Sequence, residues 1–245
     1  MKQFQYSHKQ TTDLTAEDHD HVFELFLFVN PMGSNCHSCE EEVLDFMEHT
    51  DKRVYYRFIA CNDFRLFNEY LKQKNWTKLS LGECNRLYCH MHQIAVGYKA
   101  ALLQGKRVGR QFLMTMQEHF GLAEEEFTKE RMLELAKEAR VDLEMWQEDI
   151  DSGSALKSYH TDLKIAQQMK IRSNPSLVIF DNLDFRYGLK LDQDITKDNL
   201  DYITDQMIHP TEDSLFNYQA SHYHNKANKS QVSTINTGNL RLLNK

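Results

Sequence analysis

Two cysteines of this chain have the spacing of a redox-active pair. They belong to the run Cys36-His37-Ser38-Cys39, which follows a predicted strand and lies at the start of a predicted helix. Unpaired amide groups and the helix dipole at such a position favour the thiolate and lower the pKa of a thiol. Cys36 could therefore attack a disulfide, and Cys39 could resolve the product by thiol–disulfide exchange. The alternative interpretation is that both are incidental cysteines of a helix.

A second group of residues has side-chain types that bind metal ions. It comprises Cys84, Cys89, His90 and His92. Their spacing matches no compact zinc pattern, and the group leads directly into an apolar helical stripe, so we expect neither a metal nor another cofactor. The run from Asp18 to His21 is a weaker candidate and is interpreted as a solvated stretch. The run from Glu40 to Glu42 is interpreted as a charge cluster at a helix start.

Composition indicates a cytoplasmic protein without a membrane anchor. The chain has 245 residues, of which 41% are apolar and 27% charged, and a formal net charge of -7. This charge argues against nonspecific binding to nucleic acids or to anionic membranes. The longest apolar run, from Val22 to Val29, contains Glu24 and is too short to span a bilayer. Five cysteines at irregular spacing do not suit a secreted disulfide framework.

The first half of the chain predicts a strand, a helix and a second strand. The run HVFELFLFVN, residues 21–30, is rich in Val and Phe and ends before Pro31, which is typical of a buried strand. The run from Gly33 to Asn35 supplies turn and cap residues, after which apolar residues recur at helical spacing. The run VYYRFIA, residues 54–60, predicts the second strand. These lengths predict a βαβ unit with a parallel pair and a right-handed crossover.

Helical periodicity then extends from about residue 64 to residue 151, with predicted caps at Thr128 and Asp142. One apolar stripe of this region comprises Ile94, Tyr98, Ala101 and Leu102. Ser154 is predicted to cap a further long helix. Two strands are predicted next, at residues 174–180 and 185–191, and Thr196 is predicted to begin the last helix.

This order of elements is that of a thioredoxin fold with helices inserted after the second strand. We therefore predict the α/β class and a DsbA-like thioredoxin fold with a helical insertion. The thioredoxin-like domain comprises residues 21–63 and 152–209, and the inserted helical domain comprises residues 64–151. Residues 1–20 are predicted to form a flexible segment, and residues 210–245 a polar tail.

Pro175 supports the same fold. In thioredoxin folds a cis proline precedes the third strand and packs against the cysteine helix. The cis bond fixes a backbone edge that can pair with an extended peptide. The alternative is an ordinary trans proline at the start of a strand.

Several stretches of the chain resemble the YjbH/SpxH family, the DsbA-like adapters of the Firmicute cytosol that present the Spx regulator to the ClpXP protease. The resemblance extends from about Phe23 to Ile203. The stretches that carry it are Phe28–Pro31 with Glu40, Tyr98–Gly105, Gln111–Glu118, Asp162–Ala166 and Asn174–Pro175. The resemblance implies an adapter whose partners are an Spx-type regulator and ClpXP.

The cysteine motif can be aligned with that family in two registers. Members resemble Phe-Val-Asp-Pro, one residue, and then Cys-x-x-Cys-Trp-x-x-Glu. Aligned without gaps, the first family cysteine, which is the usual attacking thiol, falls on Gly33 and the second on Cys36. The tryptophan then falls on His37 and the glutamate on Glu40. The other register places the pair on Cys36 and Cys39 and needs an insertion of three residues.

We prefer the ungapped register. With it, the resemblance implies a partner-binding face that includes Gly33, His37, Asn174 and Pro175. Relatives also have a segment rich in His and Cys at the amino terminus, which suggests zinc. This chain has no cysteine before Cys36, so zinc is not expected.

Two hypotheses of different classes describe the function. The leading one, which the resemblance implies, is an adapter that binds a regulatory protein without covalent chemistry and delivers it to a protease. Oxidation of Cys36 and Cys39 could tune this binding. The rival is a cytosolic thiol–disulfide oxidoreductase of the DsbA type, and the ungapped register argues against it because that register removes the attacking thiol.

Overall fold

The fold is built on a sheet of five strands in the order β2-β1-β3-β4-β5. A computed structural model describes residues 21–183, 187–209 and 232–236. The strands are β1 (Val22–Val29), β2 (Arg53–Ala60), β3 (Ser176–Asp181), β4 (Tyr187–Leu191) and β5 (Val232–Asn236). β1 and β3 lie at the centre, which accounts for their nearly unbroken runs of Val, Leu, Ile and Phe.

The predicted βαβ unit is confirmed. β1 is parallel to β2, with Val22 opposite Arg53 and Val29 opposite Ala60. β3 runs antiparallel to β1, and β4 and β5 continue the sheet with antiparallel pairs. β5 lies within the stretch interpreted as a polar tail, so part of that stretch forms the edge strand next to β4. The predicted flexible segment 1–20 and the remainder of the predicted tail, 210–231 and 237–245, lie outside the described residues.

Helices pack on both faces of the sheet. They are α1 (Ser34–His49), α2 (Phe64–Gln73), α3 (Leu81–Leu103), α4 (Lys106–Gln117), α5 (Lys129–Glu138), α6 (Leu143–Asp151), α7 (Ser154–Gln168) and α8 (Lys197–Ile208). A π-helical turn, Glu118–Leu122, continues α4. No helix of the described residues is long and apolar enough to cross a membrane.

Local capping chemistry sets several helix starts. Thr128, Asp142 and Thr196 each accept hydrogen bonds from backbone amides of the first helical turn, as predicted. The predicted cap at Ser154 is wrong by one residue. Gly153 is the cap, because the chain leaving α6 turns there through a left-handed conformation with φ of 76°, which glycine adopts without steric cost.

The inserted helices share a core with the sheet. Ile94, Tyr98 and Ala101 of the predicted α3 stripe are buried. The Tyr98 hydroxyl donates to the Phe58 carbonyl at 2.7 Å, which ties α3 to β2. A smaller apolar cluster covers the other face of the sheet, with residues of β1, β3 and the end of α7. The division of the chain into a thioredoxin-like and an inserted domain stays a prediction.

Candidate functional site

A cleft opens where the start of α1 meets the turn before β3. It is lined by Asn30, Gly33, Ser34, Asn35, Cys36, Tyr70, Gln73, Lys74 and Asn174. The structure therefore brings together Gly33, Cys36 and Asn174 of the predicted site residues. The Asn174–Pro175 bond is cis and lies directly before β3, as predicted.

The loop from Asn30 to Gly33 fixes Cys36 in this cleft. The Asn30 amide donates to the Cys36 Sγ at 3.2 Å. The Asn30 side chain accepts from the Met32 amide at 2.8 Å, and its carbonyl accepts from the Gly33 amide at 3.0 Å. These bonds close a tight turn after β1, so that α1 begins at Ser34 with Cys36 pointing inward.

The π-helical turn supports this loop from the inserted region. A Cβ at Gly121 would lie 2.8 Å from the Met32 carbonyl oxygen, so only glycine allows the two backbones to approach so closely. Tyr70 of α2 also lies against the loop, with its hydroxyl 3.5 Å from the Met32 carbonyl. The start of α1 is therefore held by residues from three separate parts of the chain.

Cys36 does not have the lowered pKa that its position predicted. Its side chain is buried, and this burial raises the pKa of the thiol well above its ordinary value. The Asn30 amide favours the thiolate but offsets only part of the cost of burial, and Glu40 adds to the increase. Cys36 is therefore a protonated thiol at neutral pH, because desolvation outweighs the effect of the helix start.

Cys39 lies one turn further into α1 and is partly buried. Burial is the main cause that raises the pKa of its thiol to about 11, and the carboxyl groups of Glu40 and Glu42 contribute to the same increase. Cys36 and Cys39 are both free thiols. Neither position favours the nucleophilic thiolate that disulfide exchange requires.

Glu40 is a buried carboxyl, which the sequence analysis placed wrongly in a charge cluster. Its side chain is fully buried, and Gln117 of α4 donates to its Oε1 at 2.8 Å and to the Asn30 carbonyl at 3.0 Å. Burial raises the pKa of Glu40 to about 8. Glu41 is exposed, and Glu42 accepts from the Lys197 amide at 2.7 Å. The spacing of four residues from Cys36 could have indicated that Glu40 shares its inward face.

We expect Glu40→Gln to remove a pH dependence of folding. The folded chain keeps the Glu40 carboxyl protonated at pH values where the unfolded chain, with its pKa near the ordinary 4.5, ionises it. The stability from this difference is complete below about pH 4.5 and is lost as the pH rises to about 8. Urea unfolding should show the unchanged chain losing about 2 kcal/mol more than Glu40→Gln between roughly pH 6 and pH 8. Glu41→Gln is the matched control, and an equal loss in Glu40→Gln would contradict the assignment.

Gly33 occupies the position at which a thiol could reach Cys36. A Cβ at residue 33 would lie 2.7 Å from the Cys36 Sγ. Gly33 is the N-cap of α1, with no side chain to bond the free amides. His37, which follows Cys36, is largely buried and lies 3.5 Å from the Glu41 carboxylate. This geometry favours the ungapped register, in which Gly33 stands in place of the first family cysteine.

Cys61 is a residue of this site that the sequence analysis missed. It follows β2 directly and is buried, and burial raises the pKa of its thiol. Its carbonyl accepts from the Asn174 side chain at 2.9 Å, and its Sγ lies 3.7 Å from the Asn174 Oδ1. Cys61 therefore orients Asn174 at the edge of the cleft. Its position at the end of a predicted parallel strand was the available signal.

The residues considered for zinc lie along α3, and the two histidines among them pack against aromatic rings. His90 stacks on Phe127, with ring centroids 4.3 Å apart, and His92 contacts Tyr159 edge-on at 5.1 Å. Across the described ranges, no three His, Cys, Asp or Glu side chains come together as they do in a metal site. Of the weaker candidate run, residues 18–20 lie outside the described residues.

Comparison with known proteins identifies the family to which this chain is similar. The profile of the thioredoxin family matches residues 26–200. The chain is 31% identical to the protein named ClpXP adapter protein SpxH of Bacillus licheniformis, over 69% of this chain and 61% of that protein. It is 28% identical to the protein of the same name from Bacillus subtilis, over 76% of this chain and 67% of that one. The chain thus spans about three fifths to two thirds of the length of these relatives.

Solved structures support the fold. The oxidoreductase DsbA of Xylella fastidiosa superposes with a TM-score of 0.51 at 12% identity, over 76% of this chain and 84% of that one. This likeness confirms the predicted DsbA-like fold with its helical insertion. The chain therefore belongs to the thioredoxin family, and its resemblance to the SpxH adapter proteins is confirmed.

Proposed function

We propose that this chain is a cytoplasmic adapter that binds an Spx-type regulator and promotes its degradation by ClpXP. The names of the relatives support this proposal, since proteins called ClpXP adapter protein SpxH match about 70% of the chain. An adapter needs a persistent binding surface and no reacting group. The cleft at the start of α1 has this character.

The observation that carries the proposal is the state of the cysteine helix. Cys36 is buried with a raised pKa, and in the ungapped register Gly33 takes the place of the attacking thiol of an exchange enzyme. Among the described residues, Cys36 is the one cysteine that lines the cleft, and its raised pKa disfavours the thiolate. Binding without covalent chemistry is therefore the function that the geometry supports best.

The surface proposed for the regulator comprises the exposed start of α1 and the backbone beside Pro175. Asn35 is exposed, and it lines the cleft together with Asn174. Asn174 lines the cleft and Pro175 follows it directly before β3, and the extended segment of the partner is proposed to lie along this stretch. Gly33 lies against Cys36 at the helix start, and His37 lies one turn further into α1.

A reconstituted degradation assay tests this function. ClpXP, ATP and an Spx-type regulator are incubated with and without the chain, and loss of the regulator is followed by gel electrophoresis. We expect faster degradation in the presence of the chain. Unchanged turnover, with a ClpXP preparation that degrades a tagged control substrate normally, would reject the adapter role.

We expect Asn35→Arg to weaken binding of the regulator by about tenfold, since a bulky cation would fill the rim of the cleft. Asn85→Arg is the matched control, because Asn85 is also exposed near the start of a helix but does not line the cleft. Affinity is measured by surface plasmon resonance, and degradation is expected to fall in parallel. Equal effects of both substitutions would show that the cleft is not the binding surface.

Cys36→Ser distinguishes the adapter from the rival oxidoreductase. Because a serine oxygen can accept the bond from the Asn30 amide, we expect the variant to fold and to stimulate degradation within about twofold of the unchanged chain. We expect neither protein to reduce insulin. Insulin reduction by the unchanged chain that disappears in Cys36→Ser would favour the enzyme.

A further inference from the structure

The outer edge of β2 is open near its start. The Phe58 carbonyl accepts a hydrogen bond from the Tyr98 hydroxyl of α3, so it points away from β1. Backbone groups alternate along a strand, so those of Val54 and Tyr56 point outward as well. Among the described residues, none forms a hydrogen bond with these outward groups. Within the described ranges, β2 therefore has a free edge for one more strand, at the end of the strand away from Cys61.

A cluster of cations lies beside this edge. Lys106 and Arg110, both of α4, and Arg57 of β2 line the same groove as Val54 and Tyr56. Arg110 contacts the Tyr56 hydroxyl, and neither Arg110 nor Lys106 forms an ion pair with any described residue. Unpaired cations grouped on a chain of net charge -7 create a local field opposite to that of the whole molecule.

Within the described ranges, no Asp or Glu side chain lines this groove. The buried carboxylate of Asp162 pairs with Lys99 at 2.7 Å and lies 3.9 Å from Arg57. Since Lys99 takes up this charge, Lys106 and Arg110 are left to attract an anion from outside. Leu102 and the Val54 side chain give the groove an apolar floor.

We propose that this groove binds an extended acidic peptide segment of a partner protein, which adds a strand to the outer edge of β2. Main-chain bonds to Val54 and Tyr56 would hold the segment, apolar side chains would contact the floor, and acidic side chains would meet Lys106 and Arg110. The surface uses neither α1 nor Pro175. It goes beyond the proposed function and does not depend on it.

Binding of a labelled peptide to the full chain tests the proposal. The probe is a fluorescein-labelled peptide of alternating Glu and Val, and its counterpart has Lys in place of Glu. We expect the acidic peptide alone to bind, and Lys106→Glu to weaken that binding by about tenfold in fluorescence anisotropy. Lys106 is exposed at the start of α4, where a glutamate suits the helix dipole, so folding is preserved.

The control and a second measurement separate strand addition from general charge attraction. Lys137→Glu makes the same change of charge at an exposed site outside the groove. The affinity of this variant for the acidic peptide should stay within about twofold of that of the unchanged chain. Peptide binding should slow hydrogen exchange at the Val54 and Tyr56 amides. Equal weakening by both substitutions, or binding without slower exchange at these amides, would overturn the proposal. If the acidic peptide does not bind, the proposal is wrong. Slow hydrogen exchange at the Val54 and Tyr56 amides of the free chain would then show that another segment of the same chain occupies the edge.

Discussion

Gly33→Cys is expected to give the chain a disulfide to Cys36 and thiol–disulfide exchange at least about ten times faster than in the unchanged chain. Residue 33 has φ of −90° and ψ of 114°, which any residue can adopt, but a Cβ there would lie 2.7 Å from the Cys36 Sγ, so the Cys36 side chain must shift. The same Cβ would lie 3.2 Å from the Cys36 Cβ. Disulfides join Cβ atoms about 3.5–4.5 Å apart, so a shift of a few tenths of an ångström suffices. The new thiol would be the N-cap side chain of α1 in the lining of the cleft, next to the free amides of the first turn.

The disulfide is detected by mass spectrometry after oxidation with glutathione disulfide, and exchange is measured by insulin reduction. Gly33→Ser is the matched control, because it adds a side chain of similar size without a thiol. Gly33→Cys combined with Cys36→Ser should lose the disulfide and most of the activity. If Gly33→Cys forms no bond to Cys36, the ungapped register and the assignment of Gly33 are both wrong.

Asp162→Ala is expected to cost about 3–5 kcal/mol of unfolding free energy. Asp162 of α7 pairs with Lys99 of α3 at 2.7 Å, and the two side chains are only 2% and 6% exposed. Removing the carboxylate leaves the Lys99 ammonium buried without its partner. The cost comes mainly from this unpaired charge, since buried pairs themselves contribute little net stability.

Urea denaturation of three variants checks this origin. Lys99→Met combined with Asp162→Leu removes both charges, and we expect it to recover most of the lost stability. Glu69→Ala is the surface control, because Glu69 pairs with Lys72 at 3.2 Å in an exposed site, and its loss should cost at most about 0.5 kcal/mol. A double variant as unstable as Asp162→Ala would show that packing, and not the unpaired charge, sets the cost.

Local patterns were sufficient to predict most of the framework. The parallel pair of β1 and β2 followed from two short apolar runs separated by one helix. The caps at Thr128, Asp142 and Thr196 followed from a side chain and the amides two or three residues later. Such features depend on neighbouring residues only, so the sequence contains them directly.

The features that were missed depend on residues distant in the chain. Glu40 is buried because Gln117, 77 residues away, reaches it from α4. Cys61 belongs to the site because Asn174, 113 residues away, bonds its carbonyl. The pKa of Cys36 also depends on distant residues. The helix start is a local feature, but its effect on the pKa is outweighed by burial, which requires the folded chain. Sequence patterns therefore located the cysteine helix but not its chemical state.

The position of β5 has a consequence for how the protein is made. Residues 192–231 separate β4 from β5, so the ribosome completes the first four strands well before Val232 emerges. The central pairs β1·β2 and β1·β3 can therefore form during synthesis, and β5 joins β4 after them. The order of translation is thus also an order of assembly, from the middle of the sheet outward on this side.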